Sequence, residues 1–297
     1  MILNSQGKIA EDFYAIGGPE LPAYLLLGKT PALFDAGMTF MGPTYFKELK
    51  QVLGDPNRLQ FNFLTHSHFD HSGATPYLKR HIPGLRIGAS RLAADTLRKP
   101  NAIKLIRSLC RDYEEKYPEL TDGEDVTFDT LHVDIVLDDG DEFDLGGGIT
   151  FRAISTPGHT RDSMCFYIPR FKAVITGESI GAFDKNFTIH PEFLASYKDY
   201  AESLQKIAAL DIDMILMCHF FVLTGEDARG YMNKTIERTE AFRQRISDYL
   251  DHFNGDRASV VRRIYKEDYE DTGAILQEKR PFLINLEAKV RAVADGR

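Results

Sequence analysis

The chain has 297 residues, 43% of them apolar, and a net charge of −8. That size and composition fit a globular protein of one large domain with an appendage, or of two domains. The acidic balance argues against a general nucleic-acid binder, and no apolar run approaches the roughly 18 residues that a membrane span needs.

The opening Met1-Ile2-Leu3-Asn4-Ser5-Gln6-Gly7 is too short and polar for a secretory signal. Residues 12–16, 23–27 and 32–34 read as strands, separated by Gly17-Gly18-Pro19 and Gly28-Lys29. Residues 45–53 have helical spacing. The apolar run 61–64 reads as a buried strand, and 75–81 as a helix closed by Pro83-Gly84. A helical insertion follows over about 90–124, with apolar residues at three- and four-residue intervals in 90–98 and 102–117, interrupted by Pro100. Strands return between 133 and 180, with turns at Asp138-Asp139-Gly140-Asp141 and Gly146-Gly147-Gly148. A helix over 195–210 precedes a strand over 214–217. From Glu226 onward the chain reads as helix. Met232, Ile236, Phe242, Ile246, Leu250 and Phe253 form one apolar stripe, and Leu283, Leu286, Val290 and Val293 another; both are expected to face a core. Cys110, Cys165 and Cys218 are sparse and scattered, which fits reduced thiols in a cytoplasm.

Thr65-His66-Ser67-His68-Phe69-Asp70-His71-Ser72-Gly73 follows the strand at 61–64 directly. Three histidines and an aspartate within six residues have the spacing of a metal site, since neutral imidazole is the commonest side-chain metal ligand. In an extended turn His66 and His68 point to one side and can share one metal. Asp70 and His71 follow on the turn into a helix and can face a second. Three further candidates each end an apolar strand: His159 in Thr156-Pro157-Gly158-His159-Thr160, Glu178 in Thr176-Gly177-Glu178-Ser179, and His219 after 214–217. Strand ends on one edge of a sheet can converge on one cleft.

With these residues in hand, the chain resembles the metallo-β-lactamase-fold metallohydrolase superfamily. The turn at 65–73, His159, the acidic residue at 178 and His219 occur in the family's order. Ala32-Leu33-Phe34-Asp35-Ala36-Gly37 resembles its early strand ending in Asp-x-Gly. The resemblance covers about residues 10–224. It implies an α+β fold, an αββα sandwich with a two-metal site at one sheet edge. The sandwich would occupy residues 1–225, with the helical insertion at about 90–124, and the helical extension 226–297 would cover the cleft. By the same resemblance His66, His68 and His159 bind one divalent ion, Asp70, His71 and His219 bind a second, and Glu178 bridges. Zinc, iron and manganese all suit such a donor set. Asp70 is the family's usual candidate to orient the nucleophile and shuttle its proton. The family usually places Asp where this chain has Glu178; the longer carboxylate can bridge, bind one metal, or stand outside the ligand sphere.

The implied activity is hydrolysis by a metal-activated hydroxide. A helical lid and tail resemble glyoxalase II and the quinolone-signal-response thioesterases, which points to a thioester, carboxylic ester or lactone. The substrate would be a small molecule, with neither nucleic acid nor membrane as partner. The alternatives are a mononuclear-iron oxidative enzyme of the persulfide dioxygenase type, a phosphodiesterase, and a metal-stabilised regulatory protein with a closed cleft. Flavo-diiron reductases fit less well, because their turn has Glu where this chain has His68. Asp35, Thr65 and Thr160 are candidates to hold ligand histidines by hydrogen bonds, or to act as caps and turns. Cys218 is expected in the core, His190 and Tyr197 at the cleft or the surface, and His81, His132 and His252 at the surface.

Overall fold

The computed structural model describes residues 1–296; Arg297, the last residue of the expected extension, lies outside them. The chain divides into two compact units. Among the described residues the first comprises 1–155, 162–177 and 212–225, and the second 156–161, 178–211 and 226–296.

The first unit opens with β1 (Ile2–Asn4), β2 (Gly7–Ala10), β3 (Phe13–Ile16), β4 (Ala23–Leu26) and β5 (Ala32–Phe34). Helix α1 (Gly42–Leu53) and β6 (Phe61–Phe63) lead to the short helix α2 (Phe69–Ser72) and to α3 (Thr75–His81). Then come β7 (Arg86–Ser90), α4 (Arg91–Leu97), α5 (Pro100–Lys116), β8 (Ile135–Leu137), β9 (Glu142–Asp144), β10 (Thr150–Ser155), β11 (Met164–Ile168) and β12 (Ala173–Ile175). The second unit contributes a two-stranded hairpin, β13 (Ala182–Phe183) and β14 (Ile189–His190), and α6 (Tyr197–Ala208). The first unit is completed by β15 (Met214–Leu216) and β16 (Phe221–Thr224), the second by α7 (Glu226–His252), α8 (Arg257–Ile264) and α9 (Lys279–Ala294). Among the described residues no helix is long and apolar enough to cross a membrane.

Two seven-stranded sheets build the first unit. One runs β2-β3-β4-β5-β6-β7-β8 and the other β1-β16-β15-β12-β11-β10-β9. Phenylalanines from both sheets meet between them: Phe34 and Phe63 lie within 4.6–6.1 Å, centroid to centroid, of Phe151 and Phe166. Edge-on and tilted rings of this kind fill space and add about 0.5–1.5 kcal/mol per pair beyond burial. A second core joins the first sheet to α1, α3 and the helical insertion through Leu33, Tyr45, Leu78, Ile87, Leu97 and Ile106.

Strands β5, β6, β7 and β8 pair in parallel, so their C-terminal ends lie on one edge. Asp35 and Thr65 follow two of those ends. The expected helix at 75–81 has those bounds, with Pro76 in its first turn and Lys79, Arg80 and His81 near the C-terminal dipole. Pro100, read as an interruption, instead opens α5, where its missing N–H costs nothing. The helical tail holds more than its apolar stripes: Thr235 and Thr239 are buried on α7, and Lys289 is buried on α9.

Candidate metal centre

Strand β6 delivers the histidine turn, and Asp35 organises it from the end of β5. Asp35 is buried with φ at +59°, in the left-handed region that aspartate tolerates better than most residues. Its Oδ1 accepts from the Thr65 main-chain N–H at 2.7 Å, and its Oδ2 faces His71 Nδ1 at 2.9 Å. The Thr65 hydroxyl lies 2.9–3.1 Å from both carboxylate oxygens and 3.0 Å from His66 Nδ1. A carboxylate only accepts, so the hydroxyl donates to Asp35 and its oxygen accepts from His66 Nδ1–H. Buried Asn62 ties the ends together: its amide donates to the Asp35 carbonyl at 3.2 Å, and its Oδ1 accepts from Thr75 at 3.1 Å.

The rings of His66 and His68 are 4.7 Å apart, those of His66 and His71 4.2 Å, and those of His71 and His219 5.7 Å. Asp70, on α2, sends Oδ2 to within 4.0 Å of His71 Nε2 and 3.9 Å of His219 Nε2. His219 is set by the bend between β15 and β16. Its Nδ1 donates to the Glu20 carbonyl at 2.7 Å. The next residue, Phe220, has φ +63°, a strained value for an aromatic residue, and its N–H donates to the Pro19 carbonyl. The first unit therefore brings together five of the seven candidates: His66, His68, Asp70, His71 and His219.

The second unit brings together the other two. His159 is fully buried and its Nε2 lies 2.6 Å from Glu178 Oε2, while its Nδ1 donates to the Glu192 carbonyl at 2.7 Å. Burial lowers its proton affinity, but the Glu178 carboxylate, with Glu192 behind it, outweighs burial and raises its pKa. The turn carrying it is held by the Gly158 N–H donating to the Thr160 carbonyl at 2.9 Å and by Ser203 donating to the Pro157 carbonyl at 2.8 Å. Gly158 has φ +138°, and a Cβ there would come within 2.3 Å of the Tyr200 main chain. Only glycine fits that position.

One pattern runs through both units. In His66, His71, His159 and His219 an acceptor faces Nδ1, which puts a proton there and makes Nε2 the atom that can meet a metal. At His159 that Nε2 faces the Glu178 carboxylate, which holds a second proton on the ring until a metal displaces it. Oriented imidazoles of this kind are the usual supports of metal sites. The donor set, imidazole with carboxylate, suits a divalent ion.

Asp35 and Thr65 do hold ligand candidates, whereas the Thr160 carbonyl closes a turn. Cys218 is buried, as expected. His190 pairs with Asp184 at 3.0 Å, and Tyr197 donates to Glu240. His81, His132 and His252 are exposed. The residues that sequence reasoning missed are Glu192 and Glu20, which act through main-chain carbonyls that no side-chain pattern reports, and Lys289. A lysine at the core-facing register of the α9 stripe is a visible signal.

The chain is 26% identical over 235 residues to the atrochrysone carboxyl ACP thioesterase of Aspergillus fumigatus, a match spanning 78% of this chain and 60% of that protein. It is 27% identical over 229 residues to a flavo-diiron protein of Clostridium acetobutylicum, covering 70% of this chain and 50% of that one. The chain thus spans half to 60% of the length of these curated relatives. A solved metallo-beta-lactamase family protein of Thermus thermophilus has the same fold, with a TM-score of 0.66 at 18% identity over 95% of this chain and 93% of that one. The family model described as the metallo-beta-lactamase superfamily matches residues 22–219, two thirds of the sequence, and the chain belongs to that superfamily.

Proposed function

We propose that this protein is a dinuclear metal-dependent hydrolase of a small-molecule thioester or a related carboxylic ester or lactone. The observation that carries the reading is the common orientation of four histidines, each with Nδ1 engaged by an acceptor so that Nε2 is the atom turned to a metal. In this reading His66, His68 and His159 hold one ion, Asp70, His71 and His219 hold the other, and Glu178 contributes its carboxylate to the pair. When bound, such ions supply Lewis acidity and a water that loses its proton near neutral pH.

The protein's own groups do the rest. Asp35 fixes the His71 tautomer directly and that of His66 through the Thr65 hydroxyl. Asp70 Oδ2, close to two Nε2 atoms and only 18% exposed, accepts and returns the proton that the nucleophile sheds. Glu178, against His159, adds the negative charge that balances two cations. The similarity to a thioesterase supports the acyl substrate, and the family's character supports hydrolysis. Three buried cysteines outside any disulfide support a reducing, cytoplasmic setting.

The test is a panel of acyl-coenzyme A thioesters, lactones and a phosphodiester, with protein loaded in turn with zinc, manganese and iron. The reading expects thioester or lactone turnover that chelation abolishes, that His68→Ala loses, and that exposed His132→Ala keeps. The similarity to a flavo-diiron protein favours redox chemistry as a second reading. Oxygen consumption by iron-loaded protein sustained over many turnovers with a supplied reductant such as reduced flavin, and with no ester cleavage under any metal, would establish it and overturn hydrolysis.

A further inference from the structure

Helix α9 buries Phe282, Leu286, Val290 and Val293, and Lys289 with them at 5% exposure. Lysine is almost never found this deep unless paired. Its Nζ donates to Glu192 Oε1 at 2.8 Å, across 97 positions of sequence. Glu192 is itself 9% exposed, and its other oxygen, Oε2, is buried without a hydrogen-bond partner among the described residues. Lys289 therefore supplies both the hydrogen bond and the compensating charge for that carboxylate.

The main chain of the same glutamate holds a candidate metal ligand. The Glu192 carbonyl accepts from His159 Nδ1 at 2.7 Å, and its N–H points to the Tyr200 hydroxyl at 3.4 Å. Holding the Glu192 side chain therefore holds the carbonyl that aims His159. We propose that Lys289 is a positioning residue for His159, so that the C-terminal helix sets the geometry of a metal ligand through the relay Lys289–Glu192–His159. Without the ammonium, a buried carboxylate is left with neither oxygen paired. It relaxes toward water, the main chain at 192 moves with it, and the imidazole loses its fixed direction. Partners that orient a ligand histidine are worth about 10–100-fold in metal affinity when removed. This inference rests on the metal-site reading above, and the experiment separates the two.

Metal-free protein is titrated with Co²⁺, whose visible absorption reports ligand geometry, in the wild type, Lys289→Met, Lys289→Arg and His159→Ala. The expected result is that His159→Ala loses one class of Co²⁺ site. Lys289→Met should weaken that same class by about tenfold or more and change its spectrum, while far-ultraviolet circular dichroism stays that of the wild type. Lys289→Arg keeps the charge and restores most of the affinity. Wild-type Co²⁺ binding by His159→Ala overturns the metal-site reading itself. Loss in His159→Ala with wild-type affinity and spectrum in Lys289→Met overturns the relay alone and leaves a purely structural ion pair. Should Lys289→Met fail to fold, Lys289→Met/Glu192→Leu removes both buried charges, an exchange that folds often tolerate. Weakened Co²⁺ binding by the folded double variant supports the relay, and wild-type affinity overturns it.

Discussion

Asp35 Oδ2 lies 2.9 Å from His71 Nδ1, and the same carboxylate accepts from Thr65, whose hydroxyl faces His66 Nδ1 at 3.0 Å. One buried aspartate thus orients a candidate ligand for each of the two proposed ions. Asp35→Asn keeps the shape but offers an amide donor where two donors already point. The expected outcome is a loss of metal affinity of about 10–100-fold at both sites, measured by titrating metal-free protein. Loss at neither site would reduce Asp35 to a turn residue.

Asp70 tests the division between binding and chemistry. An amide in Asp70→Asn cannot take a proton from the nucleophile. Turnover should fall by roughly 10²–10⁴-fold, more than occupancy of the His66–His68 ion falls. The comparison is kcat against metal content in the same preparation. Full activity in Asp70→Asn removes this residue from the mechanism.

The strand at 32–34 and the helix at 75–81 are legible in the sequence because turn chemistry bounds both. The histidine turn is legible because its spacing is specific. Strands β1 and β16 are not, although Ile2 pairs with Leu223, because three or four residues carry no periodicity and their partner is over two hundred positions away. The apolar stripe of α7 leaves out Thr235 and Thr239. Both are buried because their hydroxyls donate to main-chain carbonyls, Thr235 to Ile180 at 2.6 Å and Thr239 to Thr235 at 2.7 Å. A polar side chain that satisfies itself locally passes for surface in a hydropathy pattern. The support of His159 and His219 by carbonyls of Glu192 and Glu20 lies beyond any reading of side chains.

Glycine substitutions separate strain from space. Gly158→Ala meets the Tyr200 main chain at a φ only glycine adopts readily, and should destabilise by more than about 1 kcal/mol. Gly230, inside α7, has no atom beyond its own helix backbone and chain neighbours within 4 Å of the place an alanine methyl would take, so Gly230→Ala should stabilise by about 0.5–1 kcal/mol. Thermal unfolding of the two variants checks both signs. Equal shifts would contradict the geometry at Gly158.

The pH dependence should differ between the metal-free and loaded protein. In the metal-free fold burial lowers the His159 pKa, but Glu178 and Glu192 outweigh it and the net shift is upward. A raised histidine adds stability below its unfolded value of about 6.5, and that contribution is lost as pH rises through the folded value. Metal requires the neutral ring, so protons compete with it. The gain in melting temperature on adding metal should therefore shrink as pH falls, starting above the ordinary histidine range. A gain that stays constant from about pH 8 to pH 5 would contradict ligation by His159.

The most direct test of the central claim is the metal-to-protein ratio of purified protein, by elemental analysis, before and after reconstitution. Seven candidate ligands oriented as described should hold two ions per chain, with at least one retained through purification, and Glu178→Gln prepared in parallel should hold fewer. Less than about half an ion per chain even after reconstitution would contradict the site as drawn, and an unchanged ratio in Glu178→Gln would remove that carboxylate from it.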